Sequence, residues 1–289
     1  VQKLDICYTR HMAHCIVPEA EAILDKEFKV LDKGFVRLVD YLGGDARIVQ
    51  AARVSYGEGT KTVREDGALI DYLLRHQHTS PFEQVTLTFH AKMPIFVARQ
   101  WVRHRTARIN EISGRYSIMQ NEFYIPEAED IAFQSRDNKQ GRSTEALSPA
   151  LQKEITEELT SQQEAAYQSY QKLIDKNIAR ELARINLPLS TYTEWYWQID
   201  LHNLFHFLHL RCDPHAQMEI RAYAEVMLDI CRKVAPLATK SFEQHQKGGV
   251  RFSEAEMQAL RNVLVGKDSG LTGKALERFE EKIKTGKQL

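Results

Sequence analysis

Five arginines, Arg99, Arg103, Arg105, Arg108 and Arg115, fall within seventeen residues that contain a single acid, Glu111. Guanidinium forks pair bidentately with phosphate or carboxylate, so a phosphorylated ligand would relieve the repulsion inside such a segment. The interleaved Trp101, Val102, Ile109 and Ile112 point to a buried, ligand-facing cluster rather than a solvated one. Ser113-Gly114-Arg115 adds a hydroxyl, a backbone that a ligand can approach closely, and one more fork. A second group lies a hundred residues on. His202, His206 and His209 recur at i, i+4 and i+7, which places them on one helical face, with Arg211, Asp213, His215, Gln217 and Arg221 just behind. Three imidazoles on one face suit a ligand, a metal or plain packing. The carboxylate of a zinc-hydrolase pattern is missing, since Asn203 follows His202, and no metal site is assigned. Asp213 suits a helix N-cap, with Gln217 in the first turn.

Composition narrows what this chemistry serves. The chain has 289 residues, 39 Lys+Arg against 39 Asp+Glu, and 43% hydrophobic residues. Neutrality argues against a general nucleic-acid or anionic-membrane binder, which needs a basic excess. No apolar run reaches the roughly 18 residues of a membrane span, and the first residues lack a signal-peptide core, so a cytoplasmic location is expected. Cys7, Cys15, Cys212 and Cys231 form no CxxC pair or disulfide framework and are expected to be free thiols. A Gly-x-Gly-x-x-Gly fingerprint, a P-loop and a Gly-x-Ser-x-Gly elbow are all absent, which disfavours dinucleotide-fold dehydrogenases, P-loop kinases and serine hydrolases.

The elements that must carry these residues follow from periodicity. Phe35 to Leu42 reads as a strand ending at Gly43-Gly44, and Gly67 to Gln77 as a helix stopped before Ser80-Pro81. Val85, Leu87 and Phe89 alternate with polar residues as a strand, and Pro94 to Arg108 is expected to be a helix with an arginine face. Asp130 to Ser148 is expected to be a long loop. From Leu151, apolar residues recur at helical spacing through Ile178. After Pro188, Thr193 to Ile199 alternates as a strand. Helices over Leu201 to Leu210 and Gln217 to Val234 follow, then two amphipathic pieces at Met257 to Val263 and Leu276 to Ile283. Together these predict an α/β (α+β) fold, helix-rich, with a small sheet and long helices. The expected division is an N-terminal extension over residues 1–34, a catalytic domain over 35–245 and a C-terminal helical appendage over 246–289.

Arg103-His104-Arg105, seven residues, then Ser113-Gly114-Arg115-Tyr116-Ser117 resembles the signature of the flavin-dependent thymidylate synthases, the ThyX family. His78-Thr79-Ser80-Pro81-Phe82-Glu83, Asn138 to Arg142, Arg180 to Arg184 before Leu187-Pro188, and Leu210-Arg211 through His215-Ala216-Gln217 to Arg221 extend it. The resemblance covers roughly residues 35 to 245. It implies methylation of dUMP to dTMP, with methylenetetrahydrofolate as carbon donor, FAD as redox cofactor and NADPH as reductant. It also implies a homotetramer with active sites between subunits, and flavin N5 rather than a protein thiol as the reactive centre. The FAD contacts it implies are His78, Ser80, Glu83, Arg103, His104, Arg105, His202, His206 and His215. The nucleotide contacts are Gln100, Arg103, Glu111, Ser113, Gly114, Arg115, Arg184 and Arg211. Ser113 and Arg211 would stand nearest the chemistry: Arg211, with Arg115 and Arg184, would hold the phosphate and polarise the uracil. Ser113 would position the nucleotide, because no neighbouring base is visible to make it a nucleophile. Arg108 stands where the family often has a small hydroxyl residue, and Asp200, His202 and His206 where other members often have Asn or Arg. Two other readings of the same residues are a histidine-based metallohydrolase acting on a nucleotide and a non-enzymatic nucleotide-binding protein.

Overall fold

A computed structural model describes residues 15–54, 63–136 and 141–286; Cys7 and Asn138 lie outside the described residues. Helix α1 (Pro18–Glu21) leads into strands β1 (Glu27–Val30) and β2 (Gly34–Leu42), which form a hairpin. Ala20, Ile23 and Val30, all N-terminal to residue 35, contribute to the main core. Gly43 takes φ of +77°, where a side chain is strained, and turns the chain into α2 (Asp45–Arg53). Helix α3 (Val63–Arg75) ends before Gln77 at φ +57°, and the short α4 (Ser80–Glu83) carries proline in its first turn.

Strand β3 (Thr86–Pro94) is central to the sheet and runs into α5 (Ile95–Trp101). The helix expected to reach Arg108 therefore stops at Trp101, and Arg108–Glu111 forms strand β4. The reason is non-local. Trp101 is wholly buried, meeting Trp195 and Trp197 edge-on at 5.3 Å each, while Arg108 to Glu111 pairs with Gln198 to Trp195. The expected loop over residues 130 to 148 is also corrected: it contains a two-stranded ribbon, β5 (Ala132–Gln134) with β6 (Arg142–Ala146).

Ser148 then caps α6 (Pro149–Asp175), its hydroxyl accepting from the Leu151 N–H, and proline occupies the first helical position. The short α7 (Arg180–Ala183) precedes β7 (Tyr192–Asp200), the strand that joins β3 to β4. Helices α8 (Leu201–Arg211), α9 (Met218–Val234) and α10 (Pro236–Phe242) follow, then a π-helical turn at Glu243–Lys247. Helices α11 (Glu254–Leu264) and α12 (Gly273–Thr285) match the two amphipathic pieces expected at the end of the sequence.

The sheet order is β1-β2-β3-β7-β4, antiparallel throughout. Val36, Leu38, Leu87, Phe89, Trp195, Trp197 and Ile199 alternate onto one face, where they form a core with Phe205, Phe207, Tyr223 and Met227 of α8 and α9. The helix-rich α+β expectation holds. Fixing α5, α8 and α9 against that core brings the first arginine-histidine segment beside the helical histidines.

Candidate active site

Arg211, the last residue of α8, binds two partners in and just beyond α5. Its Nε donates to His104 Nε2 at 3.1 Å, and a terminal nitrogen donates to the Gln100 carbonyl at 3.4 Å. A guanidinium at that carbonyl also complements the negative end of α5. The Gln100 side chain in turn bonds the side chain of Gln217, which stands at the N-cap position of α9. One arginine thus ties the ends of three helices together.

His104 sits against Phe207, edge-on at 4.9 Å, and 5.8 Å from the His206 ring. Burial, followed by the charges of Arg211 and His206, pushes it down to about 4. It is therefore neutral near pH 7. Because Arg211 can only donate, Nε2 accepts and the ring proton stays on Nδ1. Arg99, Arg103 and Arg105 are solvent-exposed, and so are Arg108 and Arg115. The buried setting expected for this cluster is not found within one chain: Trp101 enters the core and Val102 packs against it, but Ile109 on the edge strand and Ile112 just beyond it stay exposed.

A second group forms around residues 113 to 117. The Ser113 carbonyl accepts from the N–H groups of Tyr116 and Ser117 at 3.0 Å, and its hydroxyl from the Arg115 N–H at 3.3 Å. Gly114 is buried. A Cβ there would lie 3.0 Å from both Arg184 Cδ and Met119 Sδ, so glycine is what lets Arg184 approach this turn. Arg115 pairs with Glu181 at 3.2 Å, and Arg180 donates to the Tyr116 carbonyl. Glu111 accepts from Thr193 at 2.5 Å, holding β4 to β7 by its side chain. Among the described residues, no hydrogen bond or ion pair joins this group to the Arg211 group.

His78, His202 and His206 line a third feature, a cavity of about 220 Å³. Leu73, Leu74 and Phe82 are its apolar lining, and Gln77, Thr79, His209, Gln246 and Arg251 complete it. Ser80 and Glu83 are exposed at the two ends of α4, flanking Phe82. His215 is exposed and bonded through Nδ1 and its backbone N–H to Asp213, 2.8 Å each. Asp213 therefore closes an Asx-type turn rather than capping α9 as expected. Asp200 does cap a helix: its carboxylate accepts from the Asn203 N–H at 2.9 Å and its side-chain amide at 2.7 Å. Arg108 reaches Gln198 at 3.4 Å across the β4–β7 pair.

The donors fit a phosphorylated flavin and a nucleotide. Exposed guanidiniums suit phosphate, a neutral histidine suits an uncharged polar edge, and Gly114 lets the Arg184 guanidinium come close beside this turn. Similarity to known proteins decides the family. Residues 37–237 match the model for the thymidylate synthase complementing protein, and residues 250–289 the model for the thymidylate synthase ThyX C-terminal domain. The chain belongs to the flavin-dependent thymidylate synthase family.

Relatives bearing the name flavin-dependent thymidylate synthase include one from Treponema denticola, 73% identical over 92% of this chain and 100% of its own length. One from Treponema pallidum is 64% identical over 98% of this chain and 92% of its own length. A third, from Thermus thermophilus, is 56% identical over 88% of this chain and 94% of its own length. Among solved structures, a UMP/dUMP methylase, PolB from Streptomyces cacaoi bound with 5-Br dUMP, superposes with TM-score 0.69 at 33% identity. It covers 76% of this chain and 99% of its own. Within the family signature, sequence reasoning gave a role to Arg184 but passed over Arg180 and Glu181, which brace the same turn. It also missed Gln246 and Arg251, which lie beyond the quoted motifs.

Proposed function

We propose that this chain catalyses the reductive methylation of dUMP to dTMP, with methylenetetrahydrofolate as carbon donor, FAD as cofactor and NADPH as reductant. Membership of the family supports the reaction; the observation that carries the site is the Arg211 pair with a neutral His104, beside the cavity lined by His78, His202 and His206. FAD, when bound, supplies the redox chemistry. The protein's residues bind, orient and shape. His78, Ser80, Glu83, Arg103, His104, Arg105, His202, His206 and His215 would hold the flavin, and His104 would present its Nδ1 proton as a fixed donor. Gln100, Arg103, Glu111, Ser113, Gly114, Arg115, Arg184 and Arg211 would hold dUMP, the arginines taking phosphate charge and polarising the pyrimidine. Ser113, its hydroxyl engaged by the Arg115 N–H, serves as a positioning group.

The described thiols are poorly suited to nucleophilic attack on the pyrimidine. Burial pushes Cys212 up to about 11 and raises Cys15 and Cys231, so all three stay protonated near pH 7. Among the described residues no cluster of three or more His, Cys, Asp or Glu groups is placed to hold a metal.

The assembly we propose is a homotetramer that completes each site from several subunits. Two observations support it: among the described residues no hydrogen bond or ion pair joins the two nucleotide groups, and Leu182, Ile185 and Leu189 are exposed around Arg184, Ile185 at 71%. The catalytic unit is taken as residues 35–245 and the helical unit as 246–289, in keeping with the two family matches. A cytoplasmic location accords with the free thiols Cys15, Cys212 and Cys231. No described helix is long and apolar enough to cross a membrane. The purified protein should be yellow, its flavin absorption bleaching when NADPH is added under nitrogen. A colourless preparation that takes up no added FAD would overturn the reading.

A further inference from the structure

Asn138 to Arg142 belongs to the family-like motifs, yet none of its residues is among the flavin or nucleotide contacts that the resemblance implies. Arg142 opens strand β6, and its guanidinium donates to Oε1 of Glu219 in the first turn of α9. The Glu219 side chain is 2% exposed, against 36% for Arg142. A buried carboxylate is costly unless it is paired, and Arg142 is the one cation in ion-pair contact with Glu219 among the described residues. The Tyr124 hydroxyl donates to the same oxygen at 3.2 Å, while Oε2 is buried with no hydrogen-bond partner among the described residues. Burial, then the Glu219 charge, raises the Tyr124 hydroxyl, so it remains a donor near pH 7. Solvent therefore cannot take over from Arg142 if the pair is broken.

This pair is coupled to the nucleotide site. Gln217, two residues before Glu219, is the N-cap residue of α9, and its side-chain oxygen accepts from the Gln100 amide; the Gln100 carbonyl in turn accepts from Arg211. Gln100 and Arg211 are both proposed nucleotide contacts. Tyr124 is held from several sides. Its ring packs against Phe96 of α5 at 5.7 Å, its N–H donates to the Ser190 carbonyl at 2.9 Å, and its carbonyl accepts from Gln163 of α6 at 3.0 Å. The position of the first turn of α9, and with it the Gln217–Gln100 bond, then depends on how Glu219 is held between Tyr124 and the ribbon. A helix N-terminus favours an acid at this point but supplies only about half a unit charge, so the guanidinium is still needed.

We propose that Arg142 is a positioning residue for the nucleotide: by neutralising the buried Glu219 it sets the first turn of α9, and through Gln217 it sets Gln100. The inference rests on the reading of Gln100 as a dUMP contact, and it makes the β5–β6 ribbon a support of the nucleotide site that does not itself touch substrate.

The test measures dUMP binding by calorimetry on flavin-loaded, full-length protein, with steady-state constants and flavin content alongside. Arg142→Ala leaves Glu219 buried and unpaired, and should weaken dUMP by about tenfold to a hundredfold, with KM for dUMP rising in step and kcat held. Arg142→Lys keeps the charge without the planar fork; it should lose less, and it carries the comparison if the alanine variant does not fold. Arg142→Ala combined with Glu219→Gln removes the buried charge and should recover most of the lost affinity. In a Gln217→Ala background, Arg142→Ala should add nothing, because the bond through which it acts is already gone. Unchanged dUMP binding in Arg142→Ala, or the same loss with and without Gln217, would overturn the proposal. So would Arg142→Lys losing flavin in step with dUMP, the mark of a general loss of structure. An unaltered protein that binds dUMP yet forms no dTMP counts instead against the reaction and leaves the binding comparison intact.

Discussion

Arg211 shows how one side chain serves structure and site together. It closes the end of α5 through the Gln100 carbonyl and sets the tautomer of His104. Replacing it with lysine removes the planar fork, so Arg211→Lys should lower kcat/KM for dUMP by about tenfold to a hundredfold, the worth of a charge-assisted hydrogen bond. Arg115 is exposed, with Glu181 as a solvent-screened partner, so its removal should scarcely affect folding. Arg115→Ala should abolish dUMP-dependent turnover while flavin absorption remains; unchanged turnover would refute its role. His104 also gives stability a sign. Its folded value, about 4, lies below the ordinary 6.5, so the unfolded chain takes the proton first. Its contribution is complete above pH 6.5 and is lost as pH falls toward 4. The urea midpoint should therefore drop less steeply across that window in His104→Gln than in the unaltered protein.

Among the elements, α10 depends on a residue far away in sequence. The Asp45 carboxylate accepts from the N–H groups of Leu237 and Ala238 at 2.7 and 3.0 Å, capping a helix to which it does not belong. Asp45→Ala should cost about 1–2 kcal/mol, and Asp45→Asn less, read from chemical denaturation. Trp101 terminates α5 by locking into the tryptophan cluster of β7, and Trp101→Ala should cost about 3–5 kcal/mol. The same elements mark the limit of sequence reading. The strands β2, β3 and β7 were legible because one face of each is buried, giving period-two alternation. Strand β4 was not: all four of its residues are exposed, and the arginine spacing suits a helix equally well. The ribbon β5–β6 likewise buries no residue fully, so its pattern carries no apolar signal.

Across the whole molecule, the histidine face of α8 and the Arg103 to Arg115 segment could be read from spacing, and the fold brings His104 beside His206 and Arg211. What spacing could not convey is that Gln246 and Arg251 return to the same cavity, since that depends on how the last two helices pack. It also could not convey that the arginine face is left open in one chain. If subunits complete the site, Ile185→Asp should yield a smaller species by light scattering and lose at least about tenfold in activity, with a circular dichroism spectrum unchanged. A tetramer of full activity would remove that surface from the assembly. The central claim is tested most directly by a single turnover. The purified protein, given dUMP, methylenetetrahydrofolate and NADPH under nitrogen, should form dTMP in step with flavin reoxidation, and none when either co-substrate is omitted. Flavin reduction without dTMP, or dTMP formed by protein stripped of flavin, would contradict it.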